Sequence, residues 1–510
     1  MKVLEYLSTL KWPWIQSQNF TNLRKHITIF CAVFISIIIS GKGRCFGVVL
    51  AHFHNKTCTS AAHRCSISSL NFIGDLGVAI ALAGSPFVTG FLIRLQTPAL
   101  GGRISVQCAI IIILGCLSTN FIIQPDSLIV TDSIIQGIGT SVIVSVIAIR
   151  LTEIFPRENK YHVLVSAFTD AGPWGTVIMC PLFGVILQTT HWQQVYLFFA
   201  ILLVIAIIIT SIVEPKNYDQ PAVSTFRIEK SFKAESSSKC PDHPDQQCKS
   251  YEEVNEIEFW ENDQSIYSVS SDEASEEVKR PSIASEVPHA PEIRNFFFNP
   301  ETWNVLRESS SIIWLIERAL HTMILYNVVL NLVDYMVVEI QESLEKASLI
   351  MMSFGGGEVI GFVIAVGLGD QLRHHLLHIY TIATGILTVI FMSWHITQAI
   401  HIDSFSNGDA HFLALICGLV MAFTSGYTYA LAEDVLCRPG IIAYPLTRFC
   451  QALGLIFAPL TSGLVIQFDQ YKSFFLIQTI LTFIRLVLLI VLIFKLKQNK
   501  LVHSESCLPK

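Results

Sequence analysis

The sequence predicts an all-α polytopic membrane protein, with twelve transmembrane helices in two six-helix bundles. Three observations carry that prediction. Hydrophobic residues make up 52% of the 510-residue chain and charged residues only 15%, against roughly 25% charged in soluble domains. The apolar residues fall into twelve runs, each near the ~20 residues a helix needs to cross a bilayer. A long polar stretch separates the first six runs from the last six. So few charges cannot cover so much apolar surface in water. The runs are also too long and continuous for barrel strands, so helices are the elements that satisfy the backbone in lipid.

The first set of spans lies near 27–50, 70–92, 104–123, 128–149, 163–189 and 195–213. The second lies near 312–333, 347–369, 376–394, 412–436, 441–465 and 474–494. The seventh carries Glu317 and Arg318 inside its apolar run. The chain therefore divides into a tail (1–26), a bundle (27–213), a linker (214–307), a second bundle (308–495) and a second tail (496–510). The linker contains SVSSDEASEEVKRPSIASEVPHAPE. Its acidic, Ser- and Pro-rich composition has few apolar anchors and reads as disordered. Ser270 stands before Ser271-Asp272-Glu273, and Ser282 follows Lys279-Arg280-Pro281. Both match kinase acceptor patterns of a kind common in Ser-rich tracts. The expectation is a linker that regulates trafficking or turnover.

The first 26 residues hold no apolar core of a cleavable signal, so the first span serves as the insertion signal. Arg94, Arg103, Arg150, Arg157, Lys160, Arg373 and Arg438 fall in the loops on the side of both termini. Only Lys56, Arg64, Lys346 and Lys472 fall in the opposite loops. Cytoplasmic loops carry the excess of Lys and Arg, so both termini are expected in the cytoplasm. Asn55-Lys56-Thr57, a glycosylation sequon, then lies in the first outer loop, whereas Asn19-Phe20-Thr21 lies inside. Most of the thirteen cysteines, such as Cys31, Cys108, Cys116 and Cys417, sit in apolar runs as small hydrophobes. Cys58 and Cys65 share the outer loop, where an oxidising environment permits a local disulfide.

Several function classes drop out. The one Gly-Lys pair, Gly41-Lys42, is not followed by Ser or Thr, so no phosphate-binding loop drives a pump. His374-His375-x-x-His378 is a single cluster in a short loop and reads as a solvated basic turn rather than a metal site. No enzyme, cofactor or nucleic-acid signature is present. The partners expected are the lipid bilayer and a small solute.

Ionisable groups within spans are costly and mark pathways or buried pairs. Lys42 and Arg44 lie in the outer half of the first span beside Gly41 and Gly43, where they either serve the pathway or snorkel to headgroups. Glu358 follows Gly355-Gly356-Gly357 in mid-span, as a functional acid or a buried structural carboxyl. Asp170, before Ala171-Gly172-Pro173, reads as a cavity acid or a pairing partner. Arg448 in the eleventh span is placed to meet an acid across the bundle. Asp334 is expected to face water at the outer surface, and Arg485 to pack in the twelfth span or reach headgroups. Glu433 and Asp434 are expected to be solvated or gating charges.

Three segments resemble the monocarboxylate transporter family of the major facilitator superfamily. They are GRCFGVVLAHF (43–53), AFTDAGPWGTVIMCPLFGVILQTTHW (167–192) and AEDVLCRPGIIAYPLTRFCQALGLIFAPLTSGLV (432–465). The resemblance covers both bundles and omits the linker and tails. It implies the major facilitator fold and a symporter-like carrier for a small organic anion, a proton being a possible co-substrate. It also implies a plasma-membrane location and a single-span glycoprotein chaperone. Arg44 takes the position of the family's substrate-binding lysine, and Glu358 and Phe362 align with its helix-eight Asp and Arg. The family's first-helix acidic-Gly-Gly-Trp motif is replaced by TNLRKH (21–26). The loop after the second span reads GFLIRLQTPALGGR (90–103), with Ile93 where an acid belongs. Glu358 is thus the candidate proton acceptor, unless Arg44 reaches it across the cavity; the expectation is either transport uncoupled from protons or a pH dependence that runs through Glu358. Two alternatives stay open: a carrier of aromatic amino acid-like substrates, and a non-transporting sensor or scaffold on the same fold.

The topology has a direct test. Asn55→Gln is expected to remove any glycan and Asn19→Gln to change nothing, read by gel shift before and after deglycosylation. A glycan on Asn19, or protease cleavage of the 214–307 linker from outside intact cells, reverses the orientation.

Overall fold

A computed structural model describes residues 19–56, 67–95, 98–122, 124–154, 172–213, 306–369, 371–400, 407–437, 440–469 and 471–506. Asp170, Ser270, Ser282 and the Cys58/Cys65 pair lie outside the described residues.

The regular elements among the described residues are all helical. The first set is α1 (Asn19–Arg44), α2 (Phe46–Lys56), α3 (Ile67–Leu95), α4 (Pro98–Thr119), α5 (Gln136–Ile154), α6 (Gly172–Thr189) and α7 (Gln193–Val213). The second set is α8 (Ser309–Val338), α9 (Leu344–Gly369), α10 (Leu376–Ile400), α11 (Asn407–Gly426), α12 (Thr428–Leu436), α13 (Gly440–Asp469) and α14 (Phe474–Ser506). α1 and α2 form one rod broken only at Cys45, and α11 and α12 one rod broken at Tyr427. Among the described residues nine helical stretches are long and apolar enough to cross a membrane, and α4 and α7 supply shorter apolar runs. α13 adds a 30-residue helix that tolerates Pro445 and Pro459 inside it.

α5 is preceded by a π-helical turn, Ile129–Ile135. Such a bulge widens the helix and re-aims one side chain. Here it turns Asp132 into the bundle, where it is buried. The outer surface carries large apolar side chains such as Val363, Ile382, Val389, Phe457, Phe483 and Phe494. On a water-soluble domain that density of exposed apolar groups is a liability. Against lipid tails it is the ordinary solvent face.

Apolar burial gives no net drive between helices already in lipid, so close backbone approach and interhelical hydrogen bonds hold them. Among the described residues the most extensive contacts between the first set and the second run α3 along α13, α6 along α9, and α2 along α8. A Cβ at Gly47 in α2 would come 2.6 Å from the Leu330 carbonyl oxygen of α8. Within the second set α9 and α11 pack closely and reciprocally. Gly357 faces the Leu415 carbonyl, and Gly418 faces the Phe354 carbonyl. Cys45 and Cys180 form a disulfide between the α1–α2 turn and α6, with Cα atoms 5.0 Å apart. The cysteine pattern did not single out this pair, which is 135 residues apart in sequence.

The α9–α11 contact is backbone against backbone, so an added side chain has nowhere to go. Gly357→Val is expected to cost about 1–3 kcal/mol by overpacking, visible as a lower melting temperature and a smaller monodisperse peak in detergent chromatography. Gly356→Val, where a Cβ meets nothing within 4 Å, is expected to keep the wild-type profile.

Candidate functional site

Two positions apart on a helix, side chains point about 200° from each other. Lys42 and Arg44 therefore serve different partners. Lys42 turns into the first set and pairs with Asp132, above the rings of Tyr196 at 5.5 Å and Phe199 at 6.0 Å. The Tyr196 hydroxyl donates to Asp132 Oδ2 at 3.2 Å. The bulge ahead of α5 made this pair possible, and nothing in the local sequence marked Asp132 as the partner. Lys42 does not line the central cavity described below.

Arg44 turns the other way and crosses to the second set. Its Nη1 donates to Glu358 Oε2 of α9 at 2.5 Å. Both side chains are essentially sealed, at 2% and 0% exposure. Gly172 at the start of α6 leaves the room, since a Cβ there would come within 2.5 Å of Arg44 Nε. Glu358 thus has a neighbouring cation, supplied from α1 rather than from its own helix. The place that the resemblance assigns to a helix-eight arginine is Phe362, whose ring packs against Gly426.

Beside this pair lies a small cavity of about 40 Å³, room for a few water molecules. Three guanidinium groups line it, Arg44, Arg318 and Arg448, and no carboxylate is among its lining residues. His321, Ser425 and Thr428 add polar atoms, and Leu82, Leu325 and Tyr326 close the apolar side. Arg448 donates to the Tyr444 hydroxyl, lies 4.6 Å over that ring, and reaches Gln451 Oε1 at 3.4 Å. Arg448 therefore belongs to the cavity, as does Arg44.

Behind the cavity stands a buried cluster that the sequence reading missed. Glu317 Oε1 accepts from Arg485 Nε at 3.0 Å, from Arg485 Nη2 at 2.7 Å and from the Tyr380 hydroxyl at 2.7 Å. The Tyr380 oxygen accepts in turn from Arg318 Nη1 at 2.5 Å and Arg485 Nη2 at 3.1 Å. Arg485 is fully buried, which corrects the expectation of a headgroup or peripheral packing role. The signal for the cluster was Glu317 next to Arg318 inside an apolar run. Two adjacent charges in one span call for partners on more than one neighbouring helix.

Asp334 also departs from expectation. It is buried and accepts from His54 of α2 at 2.9 Å and from the Tyr471 hydroxyl at 2.6 Å. Burial and then the Asp334 carboxylate push the Tyr471 phenol well above its ordinary range, so it remains a donor. Asn71 of α3 donates to Asn331 of α8 at 3.0 Å. Together with Arg44–Glu358, the His54–Asp334 and Asn71–Asn331 contacts tie the two sets of helices together. Glu433 is buried and Asp434 exposed. α2 continues to Lys56, so Asn55 stands on its last turn.

Two sets of membrane-crossing helices meeting around a cation-lined polar cavity define the class of secondary transporters, which place their solute site at such a junction. Residues 29–441 match the model of the Major Facilitator Superfamily, well over half of the chain, and the chain belongs to that superfamily. A comparison with curated proteins finds no match. Membership makes the chain a multi-pass membrane carrier; members of the superfamily are transporters rather than enzymes.

The Glu317 cluster predicts a sharp stability penalty. Removing one partner of a buried ion pair strands the other, at about 3–5 kcal/mol. Glu317→Gln is expected to lower the melting temperature in detergent strongly, and Glu317→Gln with Arg485→Gln by less than Glu317→Gln alone. Lys346→Gln, whose exposed side chain pairs loosely with Glu342 at 4.0 Å, should leave it unchanged.

Proposed function

We propose that this chain carries a small organic anion of the monocarboxylate type by alternating access of its two sets of helices. The observation that carries the reading is the lining of the cavity: three guanidinium groups and no carboxylate. In a low-dielectric enclosure unlike charges attract strongly and like charges repel, so the cavity draws anions and rejects cations.

Arg44 and Glu358 supply the means of coupling. Arg44 both lines the cavity and bridges to Glu358. An anion entering the cavity competes with Glu358 for the Arg44 guanidinium. A carboxylate stranded in a sealed site is costly, so Glu358 takes a proton when Arg44 turns to the anion. Proton and anion then cross together, as in a symporter, and the interhelical bridge opens in the same step. Arg448 contributes a second cation to the cavity. Asp170 stands two residues before Gly172 in the chain, the residue that makes room for Arg44, and is the reserve acid of this reading. Plasma-membrane residence and a single-span glycoprotein partner belong to the reading through the family resemblance alone.

The test is uptake of a panel of radiolabelled organic anions into proteoliposomes, with initial rate and trans-stimulated exchange followed across an external pH series. Wild-type uptake of an anion is expected to rise as external pH falls. Glu358→Gln should flatten that profile while exchange persists, and Arg44→Gln should raise KM at least tenfold. A Glu358→Gln carrier with the wild-type pH profile rules out this coupling. No uptake of any anion by well-folded protein favours a sensor on the same fold.

A further inference from the structure

The cavity has three cations, and they are not equivalent. Arg44 is held by a carboxylate, Glu358, at 2.5 Å. Arg448 is stacked on Tyr444 and bonded to it and to Gln451. Arg318 is 1% exposed, yet no carboxylate lies within ion-pair distance of it among the described residues. Its sequence neighbour Glu317 is turned away and taken up by Arg485. Arg318 instead spends Nη1 on neutral oxygens, the Tyr380 hydroxyl at 2.5 Å and the Thr424 carbonyl at 3.1 Å. Its Nε has no hydrogen-bond partner. Among the described residues, Glu317, Arg318 and Arg485 together leave one positive charge without a carboxylate.

We infer that Arg318 is the anchor for the transported anion, receiving a single carboxylate at the break between α11 and α12. This rests on the anion-carrier reading above and names the residue and the kind of ligand. A buried guanidinium without a counter-ion is costly, and such groups are otherwise paired or bound to a ligand. Everything around Arg318 fixes its position before the ligand arrives. Trp314 and Tyr380 rings lie 5.6 and 5.8 Å from the guanidinium carbon, which limits its rotation. A guanidinium presents a planar fork of donors matched to carboxylate geometry. The break at Tyr427 brings the hydroxyls of Ser425 and Thr428 to the cavity wall, and His321 Nε2 lies 3.3 Å from Ser425 Oγ. Interrupted helices are tolerated at membrane depth where they line a cavity. Leu82, Leu325 and Tyr326 add apolar lining to the same cavity, suited to a short apolar tail. The cavity is small, about 40 Å³, so a short carboxylate is the probe of choice. The bound charge neutralises the excess cation, so the carboxylate rests on Arg318 while Arg44 acts as the switch.

The experiment is a titration of purified full-length protein with propionate, and with its uncharged counterpart propionamide, read as the shift in melting temperature. Ligand that binds only the folded state raises that temperature in proportion to ln(1 + [L]/Kd). Wild-type protein is expected to show a saturable shift with propionate and little with propionamide. Arg318→Gln should raise the propionate Kd at least tenfold while leaving the propionamide response within twofold. Arg318→Lys should recover part of the loss. Should Arg318→Gln fail to fold, Thr428→Val tests the same site without touching a charge, and is expected to weaken propionate about three- to tenfold. Propionate binding unchanged in Arg318→Gln, or in Thr428→Val where that is the variant available, overturns this assignment alone. A wild-type protein that binds no propionate overturns it together with the reading on which it rests.

Discussion

Inside a hydrocarbon layer no water is at hand to solvate a charge, so an ionisable side chain must find its compensation within the protein or from a bound solute. That constraint organises the interior of this carrier. Lys42 finds Asp132, Arg44 finds Glu358, Arg485 finds Glu317 and His54 finds Asp334. Each pair joins residues on different helices, so the charges act as cross-links as well as liabilities. The pairing also sorts helices by function. Lys42–Asp132 and Arg485–Glu317 lie within one set and hold it as a unit. Arg44–Glu358 and His54–Asp334 run between sets, where a carrier must be able to let go.

Alternating access requires interfaces that are close but breakable. The contacts between the two sets meet both demands. Small residues such as Gly47 allow backbone to approach backbone, and the polar bridges among the described residues include an ion pair, a His–Asp contact and an Asn–Asn hydrogen bond. A bridge made by an ion pair is strong while both charges are present and weak once one is neutralised or diverted. Neutralising Glu358 or diverting Arg44 therefore has leverage over this interface that it would not have over a packed apolar surface. The Glu317–Tyr380–Arg485 cluster has no such role. Its ion pair and its Tyr380 hydrogen bonds lie within the second set, and through Tyr380 it holds Arg318 against the cavity.

The helical class, the span count and the even division of the chain were legible because they depend on composition and run length. A hydrophobic run of a given length crosses the bilayer whatever its neighbours are. Arg44, Glu358 and Arg448 were legible as candidates for the related reason that a charge within such a run is expensive anywhere. Arg318 was visible too, but as a blemish on the seventh span rather than as part of a site. Asp334 and Arg485 were misread because position along a span was taken to decide exposure. Both are buried by helices that lie beside them in space and far from them in sequence.

By itself, then, the sequence determined that the chain is a two-set helical membrane protein and which charges it must accommodate, because transfer of residues into lipid is a local property. Only the tertiary structure decided the partners. It brought Arg44 to Glu358 across 314 residues and gave Glu317 to Arg485 rather than to Arg318 beside it in sequence. It also used a π turn to aim Asp132 at Lys42, and joined Cys45 to Cys180. Charge compensation is settled by distances of a few ångströms between helices, and those distances are set by packing of small residues that no single segment of sequence specifies.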